Sequence, residues 1–240
     1  MSMNAFRFLP LCALLLASSC WTCSRRDYSE PEVVFLLHGM WRTRVSMFVL
    51  ARRLRAAGYR TVNVAYSQKT KSLDAITDLL HESIMEHAVG GRYHLIGHSL
   101  GNVIIRNGFK KGYPPGLGRI VMLAPPNRPA KLAKRLKDVF LYKWATGDSG
   151  QKLSQAEFYE TLPVPDVEFG VIAGNRGLRL VSKEPNDGIV LLEATKLAGM
   201  KDFKALHHGH TFIMNARDTF ELCKRFLETG RFVVPLPPGR

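Results

Sequence analysis

Residues 93–105 read Tyr-His-Leu-Ile-Gly-His-Ser-Leu-Gly-Asn-Val-Ile-Ile. Tyr93 to Ile96 is a short β-rich run, and Val103, Ile104 and Ile105 belong to a helix that opens almost at once behind it. Between them lies Gly97-His98-Ser99-Leu100-Gly101, a serine flanked on both sides, two residues away, by glycine. A serine hydroxyl is a poor nucleophile until a base takes its proton and geometry exposes its oxygen. A sharp strand-to-helix turn does the second job. Side chains at the two glycine positions would crowd such a bend, which accounts for Gly97 and Gly101. The turn also brings the N–H of Leu100 to a helix N-terminus, where the dipole favours developing negative charge. Five residues of this pattern are a loose signal; the strand before and the helix after give it weight. Without that context it is a glycine-rich turn with an ordinary serine.

Working outward, Val33 to Leu37 is a continuous apolar run, as expected of a strand covered on both faces. Met47, Leu50, Ala51 and Leu54 recur at helical spacing, and Gly58 closes that helix. Thr61 to Ala65 reads as a second strand. Ser72 can cap a helix with Leu73, Ile76, Leu80 and Ile84 on its apolar face, ending near Gly90 and Gly91. Ile120 to Leu123 is a fourth strand, stopped by Pro125 and Pro126, and Val167 to Ala173 a fifth. Ile189 to Leu192 and Phe203 to Leu206 are shorter candidates. Ala216, Phe220, Cys223 and Leu227 mark a closing helix ended by Gly230. This alternation predicts an α/β fold, a mostly parallel sheet with helices on both faces. Residues 127–163 interrupt it. There Leu132, Leu136, Val139 and Phe140 form one helical face and Lys131, Lys134, Arg135 and Lys137 occupy the rest, so a small basic helical insertion is expected.

The chain has 240 residues, enough for one substantial core and too few for two generous domains. One domain over residues 24–240 is expected, behind a leader over 1–23. Met1 to Arg7 is basic, Phe8 to Ala17 is apolar, and Ser18 and Ser19 are small, which is the layout of a secretory signal. The apolar run is well short of the ~20 residues that span a bilayer. Leu16 to Cys20 also resembles a bacterial lipoprotein box with Cys20 as the lipidated residue. Export, with or without a lipid anchor at Cys20, is the expectation. Thirty-four basic against 20 acidic residues give +14, a surface that attracts anionic partners such as acidic phospholipid. No nucleic-acid motif accompanies the charge. The spacing of Cys20 and Cys23 is incidental, since no strand precedes it, and Cys223 reads as a small core residue.

A serine in such a turn needs a base, an acid and donors for an oxyanion. His38-Gly39-Met40 ends the first strand, and its glycine lets the backbone pass close to the serine, so Met40 N–H is a candidate to join that of Leu100. His38 itself reads as structural. The base is expected late in the chain, where His207, His208 and His210 all lie. The first two continue a strand, whereas His210 follows Gly209 just before the last helix; it is the choice. No carboxylate or cysteine pattern turns these histidines into a metal site, and neither metal nor cofactor is expected. Asp187, in Glu184-Pro185-Asn186-Asp187-Gly188, is the candidate acid on a turn after the fifth strand, with Glu184 in reserve. Asp166 precedes its strand and lies at the wrong end of the sheet.

These segments together resemble the lipase-like, esterase branch of the α/β-hydrolase superfamily, from Val33 to about Phe232. The resemblance rests on VVFLLHGM (33–40), LIGHSLGNVI (95–104), VMLAPPN (121–127), NDGIV (186–190) and HTFIM (210–214). It implies the α/β-hydrolase fold with a cap formed by 127–163. It also implies Ser99 as nucleophile, Asp187 as acid, His210 as base, and Met40 and Leu100 as oxyanion donors. Relatives often follow the Pro-Asn turn with Gly-Ser; here Arg128-Pro129-Ala130 stands instead. The domain begins at what is usually the third strand, implying a minimal sheet. The implied activity is hydrolysis of carboxylic esters, of lipids or small acyl esters, with an anionic membrane surface as a further partner. Thioesterase or acyltransferase use of the same residues, or a non-catalytic lipid-binding protein of this fold, stays open at this level.

Overall fold

A computed structural model describes residues 30–40, 42–67, 72–128, 156–177 and 182–233. The expected leader, Cys20 and the basic helix of the insertion lie outside them. The described chain runs β1 (Val33–Leu37), a 3₁₀ turn, α1 (Phe48–Ala56), β2 (Arg60–Asn63), α2 (Leu73–His87), β3 (Tyr93–His98), α3 (Leu100–Gly108) and β4 (Leu117–Leu123). It continues as α4 (Ala156–Glu160), β5 (Phe169–Gly174), α5 (Leu192–Thr195), β6 (Asp202–Leu206) and α6 (Arg217–Thr229).

The six strands lie in the order β2-β1-β3-β4-β5-β6, and every described pairing is parallel. Side chains on a strand alternate between faces, so each central strand must be apolar on both. Val33, Phe35 and Leu37 pack with Ile76, Leu80 and Ile84 of α2 and Val103 and Ile104 of α3. Val34 and Leu36 turn the other way, toward Leu50, Ala51 and Leu54 of α1 and Cys223, Phe226 and Leu227 of α6. Phe35, Leu50, Leu54 and Ile104 are fully buried, each adding about 1.5–3 kcal/mol of transfer free energy relative to exposure. Ser72 caps α2 as its position suggests, its Oγ accepting from Ala75 N–H at 3.1 Å. Cys223 is buried and free, and burial raises its thiol above the usual range.

One expected strand is absent. Residues 189–192 make a single antiparallel bridge, Asn186 with Leu191, and α5 starts at Leu192. The side chains of the preceding turn explain this. Asn186 Oδ1 accepts from Gly188 N–H, and Asp187 Oδ1 accepts from the N–H groups of Ile189 and Val190. Amides committed to a local turn are not available for a ladder.

Both ends of the 127–163 segment are fastened to α3 by Arg106. Its buried guanidinium donates to the carbonyl oxygens of Pro163 (3.0 Å), Leu162 (2.6 Å), Tyr159 (3.3 Å) and Asn127 (3.3 Å). Burial holds its pKa down to about 10. The sheet order also positions the site. From β1 the chain goes to one side for β2 and returns to the other for β3. The crevice at the carboxyl ends of β1 and β3 is the switch point where open α/β sheets bind ligands.

Candidate active site

Ser99 sits at that crevice, with φ 52° and ψ −116°. Such a conformation costs on the order of 1–3 kcal/mol for a residue with a side chain and persists only when its surroundings enforce it. Ser99 N–H donates to the Leu123 carbonyl at 2.9 Å. Asn102 Nδ2 donates to the carbonyls of Ser99 (3.2 Å) and Leu123 (3.1 Å), tying the bend to β4. The flanking glycines are required by close approach. A Cβ on Gly97 would lie 2.4 Å from Asn102 Oδ1, and one on Gly101 would lie 2.5 Å from the Leu37 carbonyl of β1.

The structure brings Ser99, His210 and Asp187 into one line. Ser99 Oγ lies 2.9 Å from His210 Nε2, and His210 Nδ1 lies 2.7 Å from Asp187 Oδ2. An ionised carboxylate only accepts, so Nδ1 carries the proton and Nε2 offers its lone pair to the hydroxyl. His210 N–H also donates to the Asp187 carbonyl at 2.9 Å, locking the two loops at backbone level. Ser99 is 1% exposed overall and His210 5%, yet both border a cavity of about 300 Å³ together with Met40, Arg42, His98, Ile189 and Thr211. Asp187 stands behind the imidazole, its side chain covered.

The competing residues go elsewhere. His207 Nδ1 meets Asn175 Oδ1 at 3.2 Å, and His208 Nε2 meets Asp218 Oδ1 at 2.8 Å. Glu184 is exposed, and its carbonyl accepts from Asn186 Nδ2. Leu100 opens α3, its amide at the helix N-terminus. Met40 follows Gly39, whose backbone passes so near that a Cβ there would lie 3.2 Å from Ser99 Cβ. Among the described residues neither the Met40 nor the Leu100 amide has a hydrogen-bond partner. His38 turns away, stacked on Tyr66 at 3.9 Å between ring centroids, while the Tyr66 hydroxyl donates to the His38 carbonyl.

His98 is the member that sequence reasoning missed. Its Nε2 pairs with the His210 carbonyl at 2.9 Å; a carbonyl only accepts, so Nε2 holds the proton and the ring is a donor. Burial drives its pKa well below the ordinary value, and the neighbouring His210 and Arg42 act the same way. A neutral His98 thus holds the backbone of the loop that carries His210. Nothing local marks it, because its partner lies 112 residues on.

Burial also lowers the pKa of His38 and of His94, despite the Glu32 carboxylate 2.9 Å from His94 Nε2. For these three histidines the unfolded chain titrates near 6.5 and the folded one lower. Their contribution to stability is therefore whole above pH 6.5 and lost as pH falls below it. The slope is about 1.4 kcal/mol per pH unit for each site protonated only when unfolded. Thermal melts should show Tm falling from pH 6.5 to 5, before ordinary carboxylates titrate. A Tm that is flat or rising over that interval would contradict neutral burial.

Residues 33–214 match the Alpha/beta hydrolase family. Solved structures of similar shape include the mature form of a Bacillus licheniformis lipase, with a TM-score of 0.64 and 18% identity over 84% of this chain and 93% of that one. An Exiguobacterium antarcticum esterase gives 0.60 and 13% over 84% and 93%. An extracellular alpha/beta-hydrolase from a Paenibacillus species gives 0.56 and 17% over 83% and 99%. At these identities the likeness is one of fold. No curated protein matches the sequence. With the family match running from β1 through the loop that carries His210, and the parallel sheet in the same arrangement, the chain belongs to the alpha/beta hydrolase family.

Proposed function

We propose that this protein is a serine esterase that cleaves carboxylic esters through an acyl-enzyme on Ser99. The observation that carries the reading is the continuous hydrogen-bonded line from Ser99 Oγ through His210 to Asp187, at 2.9 and 2.7 Å, set on a strained turn. In this reading Ser99 Oγ attacks the ester carbonyl carbon while His210 Nε2 takes its proton. Asp187 keeps the imidazole in the required tautomer and stabilises its cation. Negative charge that develops on the carbonyl oxygen is received by the amides of Met40 and Leu100, each donor being worth roughly 3–4 kcal/mol in the transition state. The C–O bond then breaks, and His210 returns the proton to the departing alcohol. Water, deprotonated by the same imidazole, releases the acid and restores Ser99.

A cavity of about 300 Å³ is at the small end of ligand pockets, and Met40 and Ile189 give it apolar wall. The size favours a short acyl group over a long one, and the apolar wall suits its hydrocarbon. That a lipase and an esterase are among the structural neighbours accords with ester chemistry. The test is a panel of p-nitrophenyl esters from acetyl to lauroyl, assayed with purified protein. A rapid burst of p-nitrophenol and highest kcat/KM among the shorter esters are expected. Absence of turnover across the whole panel would overturn the esterase reading.

A further inference from the structure

Among the described residues that border the Ser99 cavity, Arg42 alone carries a permanent charge. A turn places it there: Arg42 N–H donates to the Gly39 carbonyl at 3.3 Å, two residues beyond the Met40 amide. Its guanidinium lies 5.5 Å from the centre of the Phe212 ring, and among the described residues it makes no ion pair. A cation over an aromatic face is worth about 0.5–1 kcal/mol at exposed sites, enough to orient it and too little to neutralise it. The sequence around it supplies no counter-charge either. Residues 33–73 hold eight lysines and arginines and no aspartate or glutamate. Among the described residues the carboxylate of the site is that of Asp187, which is fully covered and committed to His210 and to the amides of Ile189 and Val190.

A half-buried arginine on the wall of a cavity, its guanidinium steadied on one face and its donors uncommitted among the described residues, has the geometry for bidentate binding of a carboxylate or phosphate. Resting on the esterase reading above, we propose that Arg42 is a specificity-determining residue that selects esters whose acyl part carries an anionic group. The arginine acts on binding, with its charge reaching across the cavity to the end of the acyl chain, while Ser99 and His210 act on the ester carbonyl. The plain alternative is that Arg42 only braces Phe212, which is 66% exposed.

A matched pair of soluble substrates separates these readings. p-Nitrophenyl hexanoate and mono-p-nitrophenyl adipate share a six-carbon acyl skeleton and differ by a terminal carboxylate. The wild-type protein is expected to favour the adipate in kcat/KM by roughly 10- to 100-fold, chiefly through KM, as a charge-assisted hydrogen-bonded contact would give. High sodium chloride should shrink that preference by screening. In Arg42→Gln the preference should collapse and lose its salt dependence, and Arg42→Lys should keep part of it. A wild-type protein that hydrolyses the hexanoate without preferring the adipate overturns the Arg42 proposal alone. So does an Arg42→Gln variant that slows both esters equally, the result expected of a brace. Failure of the wild type to hydrolyse either of these esters overturns the Arg42 proposal, and if it also turns over no ester of the acetyl-to-lauroyl panel the esterase reading falls with it.

Discussion

Replacing Ser99 by alanine is expected to abolish labelling by a fluorophosphonate probe and to lower ester turnover by about 10⁴- to 10⁶-fold. The change is clean because the turn is held by backbone atoms and by Asn102. Ser99 N–H still reaches Leu123, and Asn102 Nδ2 still reaches the carbonyl of residue 99. Alanine meets the same φ penalty as serine, and only the Oγ to His210 contact disappears. The melting temperature should therefore stay close to that of the wild type. Thr211 borders the same cavity and offers the alternative hydroxyl. Labelling that survives in Ser99→Ala would transfer the nucleophile to Thr211 or elsewhere and end the proposed mechanism.

Asp187→Asn should reduce kcat by roughly 10⁴-fold while leaving the fold intact. Asparagine retains an oxygen to accept from Ile189 and Val190, so the turn keeps its two bonds. The amide group then faces His210 Nδ1 as a donor. Two donors cannot face each other, so the imidazole moves its proton to Nε2 and has no lone pair to offer Ser99. The loss should appear in kcat/KM for every ester and be insensitive to acyl charge, which distinguishes it from the Arg42 effect. Near-normal turnover would remove Asp187 from the acid role. Glu184 is a poor substitute in this fold, because its side chain is exposed whereas Asp187 is the carboxylate in contact with the imidazole.

What could be read from the chain follows the range over which the physics acts. Gly97 and Gly101 are needed by contacts with Asn102 and with Leu37 of the adjacent strand, so their spacing records a crowded bend wherever it occurs. The continuous apolar stretches of β1, β3 and β4 record burial on two faces. Residues 189–192 misled because an apolar run of four is compatible with a strand, whereas the side chains of Asn186 and Asp187 claim the amides such a strand would use. The buried Arg106 was also silent in sequence. Helical periodicity places it on α3 without revealing that its acceptors are carbonyls more than 20 residues away.

Read alone, the amino-acid order determines the α/β class, the strand-turn-helix around Ser99 and the small set of residues able to serve it, since propensity, periodicity and steric crowding act between near neighbours. Only the folded sheet decides that His210 rather than His207 or His208 reaches the serine, that Asp187 rather than Glu184 reaches the imidazole, and that His98 and Arg42 flank them. Those meetings span 23 to 112 residues of chain. They depend on β1 and β3 lying side by side, an arrangement set by packing of the whole core rather than by any local segment.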